Sequence, residues 1–336
     1  MKKAIIASLL VSALVASAFA QVTFSGSVYA GIQFQKPHDG DETITTTHRE
    51  EGAPKFNFIT TIMRENYGAR LDITFMHTGA EDPEGHFSLN GIYGWVNLFD
   101  NSLRLTMGQI SSTPWVLTRF HSSHTERKLG DIRGFRVDYS TPIQGLSLGA
   151  AFRADDHNLE TFGEQMILGA SFIHPMFNMM FAYDLANNVH TLFGFNFSGI
   201  PDLTAGVQLR AIHLASWDDE FHPGELQVRQ IVGYRIMRPL NVYLILGQTF
   251  HGMPGLDVGL EFTPGIEYRF LPNLTGSLSM TIESPDHFTT TNLILRPSLE
   301  LTLTGPAFFY LEYELFLNDM DRASHTFGFG MTIRAF

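Results

Sequence analysis

Cysteine is absent from all 336 residues, which removes disulfide frameworks, thiolate metal sites and cysteine nucleophiles together. Basic residues are scarce, 22 Lys and Arg against 34 Asp and Glu, and charged residues of both signs make up only 17% of the chain. So acidic a balance argues against nucleic acid as a partner. Tryptophan occurs 3 times and tyrosine 10, against 29 phenylalanines. Beyond residue 20 there is no run of about 18 apolar residues, so no helix is set to cross a bilayer. Mean hydropathy is +0.01, a middling value that a barrel with one oily and one wet face would average to, as would a large soluble β-protein.

What is present begins with Met1 to Ala20, which reads as a secretory signal: Lys2 and Lys3 at the start, an apolar stretch from Ala4 to Val15, and the small-residue site Ala18-Phe19-Ala20. Removing it leaves 20 basic against 34 acidic residues, a net charge of −14. From Val22 the chain alternates. Val22, Phe24, Val28, Ala30, Ile32 and Phe34 fall on one face of an extended segment, and Thr23, Ser25, Ser27, Gln33 and Gln35 fall on the other. A polar stretch from Lys36 to Pro54 reads as a loop; Phe56 to Arg64 returns, turns at Asn66-Tyr67-Gly68, and leaves again with Leu71, Ile73 and Phe75 opposite Arg70, Asp72 and Thr74.

That rhythm continues to the C-terminus. Short turns at Asp100-Asn101, Thr141-Pro142, His174-Pro175, Pro201-Asp202, Arg238-Pro239, Pro272-Asn273 and Gly305-Pro306 alternate with longer polar connections. Short turns on one rim and long loops on the other define the expected fold: all-β, a transmembrane antiparallel up-and-down β-barrel of about 16 to 18 strands, 18 favoured. At about 4.8 Å between strands and a tilt near 40°, 18 strands close into a cylinder roughly 35 Å across, too wide for side chains to fill.

The oily face recurs in Leu146, Leu148, Ala150 and Phe152, in Phe177, Met179, Phe181 and Tyr183, and in Phe309, Leu311, Tyr313 and Leu315, while glycines and charges occupy the opposite face. Arginine at position 148 is therefore expected to cost roughly 2–4 kcal/mol at mid-membrane, and arginine at the neighbouring Ser147 to be tolerated. On the polar face, Arg70, Arg104, Arg136, Arg153, Arg210, Arg229 and Arg235 form a basic wall, and Glu261, Glu267, Glu283, Glu300, Glu312 and Glu314 an acidic one. Arg269, Arg296, Asp72, Asp138 and Asp184 interrupt the segregation. Facing each other across water, the walls would set up a transverse field; the competing reading is a set of internal salt bridges. The long connection from Ser111 to Ile132 carries Trp115, Arg119, Phe120, His121, Glu126, Arg127, Lys128 and Asp131. Apolar residues in so charged a loop point to packing against the barrel interior, making this third long loop inward-folded. His121 and His124 lack a carboxylate cluster, so no metal is expected, and no cofactor.

The final strand carries Phe327, Phe329, Met331, Ile333 and Ala335 on one face and ends at Phe336. It resembles the assembly signal of bacterial outer-membrane barrels, although its apolar residues run one position out of step with Phe336; the resemblance implies that the barrel-assembly machinery reads Phe329, Met331, Ile333 and Phe336. Arg133-Gly134-Phe135-Arg136-Val137-Asp138-Tyr139-Ser140-Thr141-Pro142, then Gly145 to Phe152, and the opening Phe24-Ser25-Gly26-Ser27-Val28-Tyr29-Ala30-Gly31 resemble the general porins of Gram-negative outer membranes. The resemblance implies a homotrimeric, water-filled barrel in the cell outer membrane, surrounded by its lipid, passing small hydrophilic solutes and ions, with Ser111 to Ile132 as the constriction loop. That loop lacks the family's acidic Pro-Glu-Phe-Gly-Gly type motif and is net basic, so ion preference does not carry over.

Other functions fit less well. A barrel enzyme needs Ser, His and Asp together on one wall; Asp72, Asp138, Asp184 and His190 are scattered over separate strands, so no catalytic residues are assigned. A sugar-type selective channel would use an aromatic slide, for which Tyr29, Tyr243 and Tyr310 are the candidates on polar faces. An adhesin would use the acidic outer loops.

Overall fold

The computed structural model describes residues 21–46, 54–76, 86–110, 132–154, 166–185, 190–212, 224–252, 257–284, 290–303, 307–319 and 322–335. Among them every regular element is a strand. The first six are β1 (Gln21–Lys36), β2 (Thr43–Thr46), β3 (Lys55–Met63), β4 (Tyr67–Met76), β5 (His86–Leu98) and β6 (Leu103–Ile110). Next come β7 (Ile132–Ser140), β8 (Leu146–Arg153), β9 (Met166–His174), β10 (Phe177–Asp184), β11 (His190–Phe197) and β12 (Leu203–Ile212). The last seven are β13 (Glu225–Met237), β14 (Leu240–His251), β15 (Asp257–Leu271), β16 (Leu274–Ser284), β17 (Asn292–Thr302), β18 (Ala307–Asn318) and β19 (Arg322–Ala335).

From β3 onward each strand pairs antiparallel with the next, and β19 returns to β1 with Val28 opposite Ile333 and Phe34 opposite Phe327. On its other edge β1 pairs with β3 over Gln21 to Tyr29 and with β2 over Ile32 to Gln35, so β2 continues the line of β3. Leaving β2 out of the 19 strands gives 18 around the circumference, as the turn count anticipated. Closure pairs every strand edge, the condition for placing a sheet in hydrocarbon. The stretch read as a loop from Lys36 to Pro54 thus contains a short strand. Its hairpin is tied by Lys36 Nζ and Glu42 Oε1 at 2.9 Å, an interaction that holds the Glu42 carboxyl below its ordinary value.

Alternation sorts the side chains. On β19, Phe329 is 41% exposed and Thr332 fully buried; in the register, Phe329 stands beside Ile32 and Leu311, which share its face. Leu148, Phe181, Leu299, Phe309 and Leu311 are likewise exposed, so the oily face of the sequence is the outside of the barrel. An exposed apolar surface running round a closed sheet is a hydrocarbon contact. Aromatic residues mark both ends of this belt. Phe34 packs on Phe327 and Phe329, and Phe75 sits between Phe56 and Phe87, toward the long-loop rim. Tyr67, Tyr139, Tyr234, Tyr268 and Phe270 are exposed toward the short-turn rim, where phenol hydroxyls can meet water.

The turns follow their residues. Phe99, Asp100 and Asn101 all take positive φ (51°, 53° and 66°), a conformation that Asp and Asn tolerate. In the next turn the Ile143 N–H donates to Thr141 Oγ1 at 3.2 Å, and Gly145 has φ +85°, where a Cβ would collide with the Ile173 carbonyl. The turn expected at Asn66-Tyr67-Gly68 lies at 64–66, because the Arg64 N–H already donates to the Tyr67 carbonyl at 2.8 Å.

Candidate functional site: the inner wall

The residues opposite the apolar belt form the inner wall, and its charges meet in pairs. On β4 Arg70 lies 3.3 Å from Asp72, and on β7 Arg136 Nε donates to Asp138 at 2.8 Å; both are neighbours two apart on one strand, facing the same way. Asp72 also accepts from Asn90, which bonds Thr74 in turn, and Thr74 donates to Asn57 at 2.7 Å. A register shift between β4 and β5 at Asp72 and Ile73 accompanies this network. Arg153 on β8 reaches Asp184 on β10 at 2.9 Å, with Asp184 almost fully buried. Arg229 on β13 donates to Glu261 on β15 at 2.6 Å across Gly247 of β14, where a Cβ would stand 2.9 Å from the Glu261 carboxylate. Arg235 approaches Asp202 at 3.6 Å, and Arg296 Nε donates to Glu314 at 2.6 Å.

Five of the seven arginines of the expected basic wall, Arg70, Arg136, Arg153, Arg229 and Arg235, therefore face a carboxylate. Among the described residues Arg104 and Arg210 have no such partner. Arg104 instead lies over the Trp95 ring, 4.6 Å from its centroid. On the acidic side Glu261 and Glu314 are bound to arginine and Glu283 accepts from Asn292 at 3.3 Å. Glu267, Glu300 and Glu312 are half-buried and engaged in contacts of their own. Among the described residues the wall is a set of local ion pairs with Arg104 and Arg210 outside them, and opposed free rows do not describe it.

The inner wall from β6 to β10 is also dry. Ile110, Ile132, Ala151, Ile167 and Ala182 are all within 1% of complete burial and form one cluster, with Tyr93 packed on it. Sequence reasoning passed over this patch. Its one trace is the run Met166-Ile167-Leu168 at the start of β9, where apolar residues stop alternating. The aromatic slide fails on burial. Tyr29, Tyr243 and Tyr310 are only 8%, 7% and 4% exposed. Tyr243 lies over Gly265 and Tyr310 over Gly330, and at that burial neither ring offers a face to a passing sugar.

Of the assembly-signal residues, Phe329, Met331 and Ile333 face outward on β19 beside Ile32, Ala30 and Val28 of β1. Phe336, residues 1–20, and Trp115, Arg119, His121, His124, Glu126, Arg127, Lys128 and Asp131 of the expected constriction loop lie outside the described residues. Among the described residues no group of three His, Asp or Glu is placed to hold a metal ion. Asp72, Asp138 and Asp184 are each bound to an arginine.

This closed 18-strand wall has solved counterparts. The fold is that of the outer-membrane porins. Pseudomonas aeruginosa OpdQ superposes with a TM-score of 0.64 at 9% identity, covering 94% of this chain and 98% of that one. Pseudomonas aeruginosa OccK2 (OpdF) does so with a TM-score of 0.64 at 12% identity, covering 94% and 98%. The anion-selective porin from Comamonas acidovorans gives 0.56 at 11% identity, covering 94% and 99%. No family model and no curated protein matches the sequence.

Proposed function

We propose that this chain is an outer-membrane porin whose water-filled channel lets small hydrophilic solutes and ions diffuse passively. The observation that carries the reading is the closed seam between β1 and β19 around a charged interior. A tube roughly 35 Å across is oily outside and polar inside, and only water and solutes can occupy what side chains leave open. General diffusion is preferred to a sugar-selective channel because the three tyrosines that would form a slide are buried. The same barrel folded for catalysis would need its carboxylates free, and three of the aspartates weighed for that role are bound to arginine.

Several parts of the proposal rest on the sequence alone: removal of residues 1–20 on export, reading of the last strand by the barrel-assembly machinery, and a homotrimer. The segment Ser111 to Ile132, with Trp115, Arg119, His121, Glu126, Arg127, Lys128 and Asp131, is assigned as constriction loop. The dry patch supports that assignment, since inward-facing Ile110 immediately precedes the segment, inward-facing Ile132 ends it, and isoleucines on a water-filled wall need a cover.

Reconstitution of purified protein into planar bilayers tests the reading. Stepwise, ohmic conductance increments are expected, with swelling of liposomes in small sugars. A protein that stays monodisperse without detergent, or inserts without passing current, would refute it.

A further inference from the structure

Alternation places Gln230 of β13 and Gln248 of β14 on the outer face of the barrel. Beside Gln230, Ile231 is buried on the inner side and Val232 is 49% exposed. Beside Gln248, Gly247 faces inward under the Glu261 carboxylate. In the register Gln230 stands next to Val207 and Leu246, and Gln248 next to Val228 and Leu260. Along their own strands the neighbours on the same face are Val228 and Val232, and Leu246 and Phe250. All eight are apolar. Gln230 lies about 18 Å above the short-turn end of its strand and Gln248 about 20 Å, so both belong to the apolar band and not to the short-turn rim.

A carboxamide in hydrocarbon has lost its water and needs a partner from protein. Other polar groups of the outer face have one: Gln109 Nε2 donates to the Leu89 carbonyl at 2.7 Å, and Tyr313 shares a hydrogen bond of 2.6 Å with His325. Among the described residues Gln230 and Gln248 have none. They are diagonal neighbours about 7–8 Å apart, so one bond between them would still leave most of their donors and acceptors unmet. The surface around them is flat. Ala205, Val207, Leu209, Val228, Val232, Val242, Leu244 and Leu246 are all aliphatic, and the patch is bounded by Phe193, Phe195 and Phe197 on β11 and by Phe262 on β15. Lipid chains bring neither donor nor acceptor to it. A second copy brings both, because a carboxamide is donor and acceptor at once.

We propose that the outer face of β12 to β14 around Gln230 and Gln248 is where copies of this chain meet in the membrane, the carboxamides of one copy bonding to those of the next. A cyclic assembly gathers identical residues about its axis, so amides that recognise their own kind belong there. The inference rests on the membrane-barrel reading and gives the homotrimer a definite face.

The test exploits the absence of cysteine, since single cysteines introduced into the full chain report contacts without background. In liposomes treated with copper phenanthroline, Gln230→Cys and Val232→Cys should form covalent dimers. Ile73→Cys, outward-facing at a similar height on β4 across the barrel, should not. Gln230→Leu combined with Gln248→Leu should raise the dissociation constant of the oligomer in micelles about tenfold or more, read by sedimentation. The same variant should keep the shifted mobility of a folded barrel in unheated gels, because it only removes amides from hydrocarbon. Cross-linking at Ile73→Cys but not at Gln230→Cys, no cross-linking at any of these positions in a folded barrel, or a double variant that associates as tightly as the parent overturns this contact surface alone. A chain that stays monodisperse without detergent overturns the membrane reading as well.

Discussion

Replacing Asp184 by Ala should be the most damaging single change to the inner wall. The carboxylate is 1% exposed and takes Arg153 Nη1 on both oxygens, at 3.0 and 2.9 Å, beside fully buried Ala151 and Ile167. Removing it leaves a guanidinium in a dry, apolar corner. Breaking a buried pair from one side costs about 3–5 kcal/mol, most of it the uncompensated charge. The double variant Arg153→Met with Asp184→Leu removes both charges and fills the space with apolar atoms, and should fall within about 1–2 kcal/mol of the parent or above it. Equilibrium urea unfolding in detergent micelles, followed by tryptophan fluorescence and by the mobility shift of folded barrels in unheated gels, reads both. If Asp184→Ala unfolds within about 1 kcal/mol of the parent, water reaches the pair and the corner is not dry. If the double variant is as damaged as the single one, the pair supplies more than mutual neutralisation and the reasoning fails.

Outward-facing positions should show a depth profile. Leu148 is two residues into β8, about 5 Å above the short-turn end, and Phe181 four into β10, about 10 Å above it. Phe181→Arg should therefore cost roughly 2–4 kcal/mol and Leu148→Arg nearer 1, with Ser147→Arg, facing inward, below both; the same micelle titration checks the order. Gly247→Val should separate Arg229 from Glu261 by placing a side chain between them, costing about 1–3 kcal/mol, with less loss when Glu261→Gln is already present. Gly145→Ala combines φ +85° with a collision at the Ile173 carbonyl and should cost about 1–3 kcal/mol, visible as slower barrel closure and lower stability in refolding assays.

Strand number and facing were legible because two local signals agree along this chain: alternation at period two, and Pro, Gly, Asn or Asp at each tight turn. Boundaries moved where a polar residue can still extend a strand, as at Arg322 and at β2, whose Thr-Ile-Thr-Thr run looks like loop composition. The ion pairs divide the same way. Arg70 with Asp72 and Arg136 with Asp138 are two apart on one strand and could be read directly. Arg153 with Asp184 spans 31 residues and Arg229 with Glu261 spans 32, so both depend on register, which no local pattern encodes. Grouping charges by sign along the sequence predicted opposed walls, but side chains pair with what lies within a few ångströms. The dry patch was hidden because each of its isoleucines comes from a different strand.

Register also explains how the wall tolerates proline. Pairing of β15 with β16 lapses at Thr263 and Pro264, and pairing of β17 with β18 lapses at Arg296 and Pro297, while both prolines stay in register with their other neighbours. Both face outward, where an orphaned N–H in hydrocarbon would cost several kcal/mol. Proline has no N–H to orphan, so only a carbonyl is left under-satisfied, the cheaper of the two defects. At each lapse a side-chain pair on the wet face crosses the same two strands: Thr263 with Thr281 at 2.8 Å, and Arg296 with Glu314 at 2.6 Å. Each pair restores a polar link where the backbone supplies none. Arg296 and Glu314 are thus placed as a clamp on a seam before they are anything to a passing solute, which is a reason to look for ion preference in Arg104 and Arg210 instead.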